Sequence, residues 1–487
     1  MNVYDGWTSF VAQCVGAISP DAAASWCRSR ATLSAYSAAS RRGPNSSWRP
    51  TSRSADTLSR NEHALIVARA RDLVRNSAHV SGALERIANN VIYTGIKPQA
   101  AQLNADGDLD HTFNRKIEQH WKDWAEADEV GFEDKQRLIM NHLWQDGECL
   151  LRFYPDPDLM KHGLAPLGVE LLECDYLDSS VDGPLAGGGY AMRGVEFNRK
   201  GHPVAYHLYS EHPGDMRRLL SRESIRVSAQ WVRHIFRPVR SSQNRGISWM
   251  APVVMEMRDF SEFQDSHRIV ARLMAAFGFF VETPYAEMMN PLGGEMMNQA
   301  EGVEGYIPDY VEPGQIVTLP QGTKVHEAQF THPGPTYEPY VKTSLRGSST
   351  GFGMSYEAFS NDYSDASFAS ARSATLEERR GYRVQQNLMG RKAIMPTWKM
   401  FCRMLWLGGL EPLLTGPSVP ASCQFPGWSW VDPVKDAKSA ESLLNMGCTT
   451  RRKICAERGE DYDEVVEQLA RENDDLKKRG LTETKSE

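Results

Sequence analysis

The chain has 487 residues, of which 41% are hydrophobic and 24% charged, with a formal net charge of −7. That length supports two to four domains with ample material for cores. The acidic balance excludes a conventional DNA clamp, which needs concentrated Lys and Arg to neutralise phosphates, but not a partner along which DNA slides without sticking.

The eight cysteines (Cys14, Cys27, Cys149, Cys174, Cys402, Cys423, Cys448 and Cys455) form no C-x-x-C pair and no zinc-ligand spacing with histidines. They read as idle or buried thiols of a reducing compartment. The N-terminus, "MNVYDGWTSFVAQCVGAISP", carries an acid and no basic n-region, so no secretory signal is expected. No apolar run approaches the ~18–20 residues that span a membrane. A cytoplasmic, disulfide-free product is the expectation.

In chain order, residues 1–60 are rich in Ser, Ala and Arg and poor in Ile, Leu and Val. Such a segment buries too little apolar surface to offset its ordering entropy, so it reads as a mobile or partner-ordered arm. Arg41, Arg42, Arg49 and Arg53 could touch nucleic acid or an acidic surface; a solvated tail is the alternative. Helical periodicity begins at "NEHALIVARARDLVRNSAHVSGALERIANNVIYTG", with Leu65, Ala68, Leu73, Val80, Leu84 and Ile87 on the apolar side and Arg69, Arg71 and Arg75 as a basic stripe. Two further helices follow, the first with Trp121 and Trp124 one turn apart, which read as core.

From Cys149 to Val239 the pattern becomes β: "CLLRFY", "GVELLECDYL", "RGVEFNRKGHPVAYHLY" and "WVRHIFRP", with "NRKG" as a hairpin turn. A long helix is expected from Pro252 to Phe280, about 45 Å of rod at about 1.5 Å per residue, with Val253, Met257, Phe260, Phe263, Ile269, Leu273 and Phe277 as its apolar groups. Residues 282–339 are broken by Pro and Gly, and "EPGQIVTLPQGTKVHEAQF" reads as strand, turn, strand. Helix resumes at Tyr340 and again over Phe368–Met389 and beyond. The tail reads as two or three short helices, stopped at Gly447 and Gly459 and capped by Thr449 and Asp461.

One motif invites a catalytic reading. Gly347-Ser-Ser349-Thr-Gly351 fits G-x-S-x-G, but a nucleophile elbow needs a strand before it and a helix after it. Here Tyr340, Ser344, Leu345, Ser348 and Phe352 fall at helical spacing, with Gly353 as a C-cap. Ser349 is therefore expected inside a helix, and the small residues allow a neighbouring helix to come close. No P-loop and no H-E-x-x-H is present. Acidic pairs such as Glu173/Asp175 and Asp362/Asp365 could hold a metal, but such spacings are common on solvated faces. No catalytic residue, cofactor or metal is expected. A serine hydrolase using Ser349 and a nucleic-acid-binding scaffold using the Arg-rich arm are the rival readings.

The ordered pieces together resemble the portal proteins of tailed bacteriophages, lambda type. The resembling stretches include "RARDLVRN…NNVIYTGIKPQ", "DGECLLRF", "ELLECDYLD", "GVEFNRKGHPVAYHLY", "VRHIFRPVRSSQNRGISWMAPVV", "EPGQIVTLPQG", "LRGSSTGFGMSYEAFSNDYSDASFASARSATLE" and "WSWVDPVKDAKSAESLLNMGCTTRRKICAERGEDYDEVVEQLARE", in order along most of the chain. The resemblance implies an α+β subunit with wing, two-helix stem, small β-containing clip and helical crown. It implies a ring, usually of twelve copies, at one capsid vertex, through which double-stranded DNA is packaged and ejected. The implied partners are the terminase large subunit, the major capsid protein and head-completion or tail connector proteins, with no membrane. The implied location is the virion, after assembly in the host cytoplasm.

On this chain the resemblance places an arm at 1–60, wing at 61–245, stem helix at 246–281, clip at 282–339, second stem helix at 340–353, tunnel loop at 354–367, the rest of the wing at 368–430 and crown at 431–487. Met354, Ser355, Tyr356, Glu357, Ser360, Asn361, Asp362, Tyr363 and Asp365 are then the channel loop. Met257, Phe260, Phe263, Leu273, Phe277, Leu345 and Phe352 pack the stem, and Met288, Met289 and Tyr310 dock partners from the clip.

Overall fold

The computed structural model describes residues 50–215, 223–276, 280–282, 324–326 and 334–480, with positions 19, 21 and 47. The chain divides into two units, residues 1–58 and residues 59–487. In the first, a short helix begins at Ala55 behind Ser54, whose hydroxyl accepts from Thr57 N at 3.3 Å. The expected arm otherwise lies outside the described residues.

In the second unit, α1 (His63–Asn76) and α2 (Ala78–Val91) are one periodic stretch interrupted by the extended backbone of Ser77. On α2, Val80, Ala83, Leu84, Ile87, Ala88 and Val91 make a continuous buried face. The phase of α1 differs from the expected one: Leu65 and Ala68 are exposed, and His63, Val67, Ala70 and Leu73 point inward. The basic stripe divides accordingly. Arg69 and Arg75 face solvent, whereas Arg71 reaches Asp146 (2.7 Å), Asp175 (2.7 Å) and Glu173 (2.8 Å).

Asp110 caps α3 (His111–Glu126) by accepting from Phe113 N at 3.0 Å. With α4 (Phe132–Gln145) it delivers the tryptophans to the core, as expected. Trp121 lies 5.0 Å from Trp124, 5.4 Å from Phe132 and 5.2 Å from Phe401 between ring centroids. Tilted and edge-on aromatic contacts of this kind contribute beyond their buried area.

A short β1 (Lys97–Ala100) pairs later with β12 (Ala421–Gln424). The central sheet is antiparallel with β2 (Glu148–Pro155) between β3 (Leu167–Glu173) and β9 (Val232–Phe236). Cys149, Leu150 and Leu151 are all fully buried, because β2 is covered on both faces. A five-stranded antiparallel meander follows the chain order: β4 (Gly183–Pro184), β5 (Tyr190–Met192), β6 (Val195–Phe197), β7 (Pro203–Tyr209) and β8 (Ser224–Ser228). The expected hairpin is present between β6 and β7. Asn198 Oδ1 accepts from Lys200 N and His202 N, and Gly201 takes φ 77°, a left-handed conformation that glycine adopts without penalty.

The long helix is α5 (Val254–Ala276), 23 residues and about 35 Å; Pro252 lies just ahead of it. Ile269, expected on the apolar face, is exposed. Beyond it, β10 (Phe280–Glu282) pairs antiparallel with β11 (Lys324–His326). The second strand of the expected strand–turn–strand motif is therefore present, paired with the end of the long-helix segment; its first strand lies outside the described residues. Then come α6 (Tyr337–Phe352), α7 (Tyr356–Ser360), α8 (Phe368–Met389), a π-helical turn (Gly390–Ile394) and α9 (Met395–Gly408).

The tail forms α10 (Pro433–Asn445), α11 (Arg451–Arg458) and α12 (Tyr462–Lys478), none with a buried residue. Asp461 caps α12 as expected, and Gly459 takes φ 81° at the end of α11. The cap of α11 is Thr450, not Thr449: its hydroxyl accepts from Lys453 N at 3.2 Å. No helix among the described residues is long and apolar enough to cross a membrane.

Candidate functional site

The segment from α6 to α8 holds the residues that the sequence singles out. Its geometry disposes first of the G-x-S-x-G motif. Ser349 lies in the last turns of α6, 3% exposed, and its hydroxyl donates back to Arg346 O at 2.9 Å. A helical serine bonded to its own backbone is not presented on a strand-to-helix turn, so the elbow is absent. Gly353 ends the helix at φ 66°, the expected left-handed C-cap.

The glycines of the motif serve packing. A Cβ on Gly347 would stand 2.4 Å from Glu256 Oε1, and one on Gly351 would stand 2.1 Å from Val253 Cγ1. The start of α5 approaches α6 this closely because neither position has a side chain. Along the same pair, Phe263 lies 4.2 Å from Tyr340 and 5.9 Å from Tyr337, ring to ring. Met257, Phe260, Leu345 and Phe352 are buried. The side chain of Leu273, and Phe277, Met288, Met289 and Tyr310 entirely, lie outside the described residues.

Residues 354–367 are less of a loop than their composition implies. Ser355 caps α7 by accepting from Ala358 N at 3.1 Å, and its own N–H donates to Glu378 Oε1 of α8 at 2.7 Å. Met354, Ala358 and Phe359 are buried. Phe359 stacks on Phe352 (5.2 Å) and on His79 of α2 (5.9 Å), while Phe352 stacks on Trp144 (5.6 Å). This aromatic column fixes the base of the segment to the body, so Met354 belongs to the core and not to an open surface.

The outer half is polar and internally bonded. Asn361 takes φ 59° and accepts from Arg86. Asp362 accepts from Ser364 through both N (3.1 Å) and Oγ (2.6 Å) and from Tyr356 Oη (2.8 Å). The Ser364 and Tyr356 donors hold its carboxyl down at about 2. Asp365 pairs with Lys342 of α6 at 2.9 Å. Glu357, Asp362 and Asp365 are the charged residues of 354–367, which contains no Lys or Arg. Asn361, Tyr363 and Asp365 are exposed; Ser355, Tyr356, Glu357, Ser360 and Asp362 are partly so.

Among the described residues two clusters have the composition of a metal site, His63/Glu148/Cys174 and Glu173/Asp175/His212. In the first, Glu148 accepts from Arg245 Nη2 (2.6 Å) and Nε (2.7 Å) on one oxygen and from His234 Nε2 (2.8 Å) and Gly246 N (2.5 Å) on the other. Burial pushes this carboxyl up, but Arg245 and His234 outweigh it and keep it well below the ordinary range. With its lone pairs engaged and a guanidinium at 2.6 Å, it ties β2 to the chain at Arg245 and to β9. In the second cluster Arg71 already bridges both carboxylates. Sequence reasoning missed these networks; the legible signals were an acid opening the apolar strand "ECLLRFY" and a lone Arg on the inward side of α1. Asp362 and Asp365, the other acidic pair, are satisfied by hydroxyl donors and by Lys342.

The fold and this segment together define a mixed helix-and-sheet subunit built around a close-packed helix pair and an acid-only, internally braced turn. A family model described as phage portal protein, lambda family, matches residues 41–386, and the chain belongs to that family, which makes it a phage portal protein. It is similar to a probable portal protein of Halomonas phage phiHAP-1, 28% identical over 90% of this chain and 86% of the relative. It is also similar to the portal protein of Escherichia phage N15 and to portal protein B of Escherichia phage lambda, each 24% identical over 89% of this chain and 88% of the relative. A chain of the virion of a native gene transfer agent particle aligns with 81% of this chain and 93% of its own length, at 11% identity and a TM-score of 0.43.

Proposed function

We propose that copies of this chain close into a ring, twelve-membered as the resemblance implies, at one vertex of the virion capsid. Residues 354–367 then border the passage for double-stranded DNA, and the protein acts without catalysis. The observation that carries this reading is the acid-only turn, braced at its base by Phe352, Phe359 and Trp144 and at its tip by the Asp362 hydrogen bonds. Duplex DNA carries one charge per about 1.7 Å, so a cationic bore would bind it at every position; carboxylates on a stiff support repel phosphates and let the duplex move. In this reading α5 and α6 are the stem and residues 282–339 are the clip. Met288, Met289 and Tyr310 of the clip dock the terminase large subunit and later the connector proteins, and the wing meets the major capsid protein. Assembly in the host cytoplasm precedes incorporation.

The test is packaged DNA length for two variants carried by every subunit. Ser349→Ala is expected to package normally, because alanine is the better helix former and only a local hydroxyl bond is lost. Asp362→Lys places a ring of cations on the passage; intact rings with slowed or truncated packaging, partly rescued by added salt, are expected. Inactive Ser349→Ala beside normal Asp362→Lys would overturn the assignment.

A further inference from the structure

Every charged side chain between Glu378 and Glu411 is a cation: Arg379, Arg380, Arg383, Arg391, Lys392, Lys399 and Arg403. The stretch is the second half of α8, the π turn and all of α9. Part of this charge is answered within the chain. Arg380 pairs with Glu377 at 2.8 Å. Arg379 donates to Ser429 O, and both it and Arg383 lie over the Trp428 ring. Lys392 sits over Phe236.

Arg391, Lys399 and Arg403 have no such partner among the described residues: none makes an ion pair, a side-chain hydrogen bond or a ring contact. From Arg391 to Arg403 these three are the exposed residues, with every position between them buried or half-buried. The opposite face of α9 carries Trp398, Phe401, Cys402 and Leu405, all at 0% exposure, so the rod that presents the cations is fixed in the core. Burial, and after it the Arg391 charge, hold the Lys392 ammonium below its ordinary range, as expected where like charges crowd without an anion.

We propose that Arg391, Lys399 and Arg403 form a binding site for the phosphate backbone of double-stranded DNA on the outer face of the π turn and α9, separate from residues 354–367. The proposal rests on the portal reading for its ligand. Lys399 and Arg403 are one helical turn apart, and Arg391 to Arg403 spans about 18 Å, the rise of about five base pairs. A phosphate backbone asks for cations alone and is read without apolar contact. An acidic protein, the rival occupant, is met by apolar groups as well; none is exposed between Arg391 and Arg403, and the exposed Trp406 and Leu407 continue the same face only beyond Arg403.

The experiment titrates a labelled duplex of about 30 base pairs onto the full-length protein across about 50 to 200 mM salt. Arg391→Gln/Lys399→Gln/Arg403→Gln is compared with a control triple, Arg75→Gln/Arg258→Gln/Arg380→Gln. The control removes the same charge from exposed cations already paired with Asp72, Glu262 and Glu377. The expected result is salt-sensitive binding by the wild type that falls at least about tenfold in the stripe triple. The slope of log affinity against log salt should shrink by roughly 2.7 for each subunit engaged, at about 0.9 per phosphate contact. The control triple should bind like the wild type. Equal losses in both triples, no binding by the wild type, or a folded stripe triple that no longer assembles would each overturn the site; the last would make the face a contact between subunits. Binding is readable on unassembled subunits, so a wild type that binds DNA yet never forms rings would sink the ring reading and leave this one standing.

Discussion

Residues 354–367 and 379–410 are neighbours along the chain and opposite in charge, and they treat their charge in opposite ways. The first carries only carboxylates and answers them from within: Ser364 and Tyr356 donate to Asp362, and Lys342 pairs with Asp365. Hydrogen bonding to the charged form favours it, which is why Asp362 stays ionised to about pH 2. The second carries only cations, and burial works against several of them: Arg379, Arg383 and Lys392 are all held below their ordinary ranges. Three more have no partner among the described residues. A charge solvated by its own chain suits a surface past which something moves. A charge left without a counter-ion on a rigid support suits a surface to which something binds.

The sharpest break between the two regions is expected in stability, because one rests on a few anchors and the other on the centre of the core. Trp398 of α9 is fully buried and its indole N–H donates to Val419 O at 2.9 Å. Trp398→Ala is expected to destabilise the second unit by about 3–5 kcal/mol. Tyr363→Ala, at an exposed position of the turn, is expected to stay within about 0.5 kcal/mol. Denaturant unfolding of the two variants checks this; comparable losses would mean that the turn is more deeply integrated than its packing indicates.

A smaller effect tests the bracing of the turn itself. Ser355 caps a helix of five residues and hands its N–H to Glu378. Ser355→Ala keeps the second bond and loses the first, and is expected to cost about 1 kcal/mol. Amide exchange of Ala358 and Phe359 should quicken, while that of α9 is unchanged. Equal protection in variant and wild type would remove the cap from the account.

The smallest effects have opposite signs at neutral pH. The carboxyl of Asp362 is depressed when folded, so its contribution is present above the ordinary carboxylate range and is lost as pH falls toward about 2. The melting temperatures of Asp362→Asn and wild type should differ at neutral pH and converge in acid. Lys392 is depressed too, but for a cation this is a penalty on the charged form. Stability is lowered below its folded pKa and recovers as pH rises toward the ordinary lysine value. Lys392→Met should therefore melt slightly higher than wild type at neutral pH, with the gain shrinking in alkali. The same sign for both variants would dissolve the contrast.

Much of the local structure was legible in the sequence because it is set by near neighbours. Gly353 ends α6, the expected helix Phe368–Met389 is α8, Asn198 to Gly201 turn between β6 and β7, and Asp461 caps α12. Each follows from backbone chemistry within a few residues. So does the failure of G-x-S-x-G as an elbow, since helical spacing already surrounds Ser349. The acid-free run from Glu378 to Glu411 was equally readable as a charge run and was missed.

What the tertiary structure alone decided depends on what stands opposite. Periodicity gave α1 a face but not its phase, and packing chose His63, Val67 and Ala70 over Leu65 and Ala68. Of two adjacent threonines, the backbone conformation made Thr450 the cap. Residues 354–367 read as a loop because Met354, Ala358 and Phe359 are too few to declare a buried face. They are core because Phe352 and His79 are there to meet them. Arg71 is an internal bridge only because Asp146, Glu173 and Asp175 converge on it, and among the described residues Arg391, Lys399 and Arg403 lack partners because no carboxylate does. Composition records which charges a chain has; long-range folding determines which of them it neutralises.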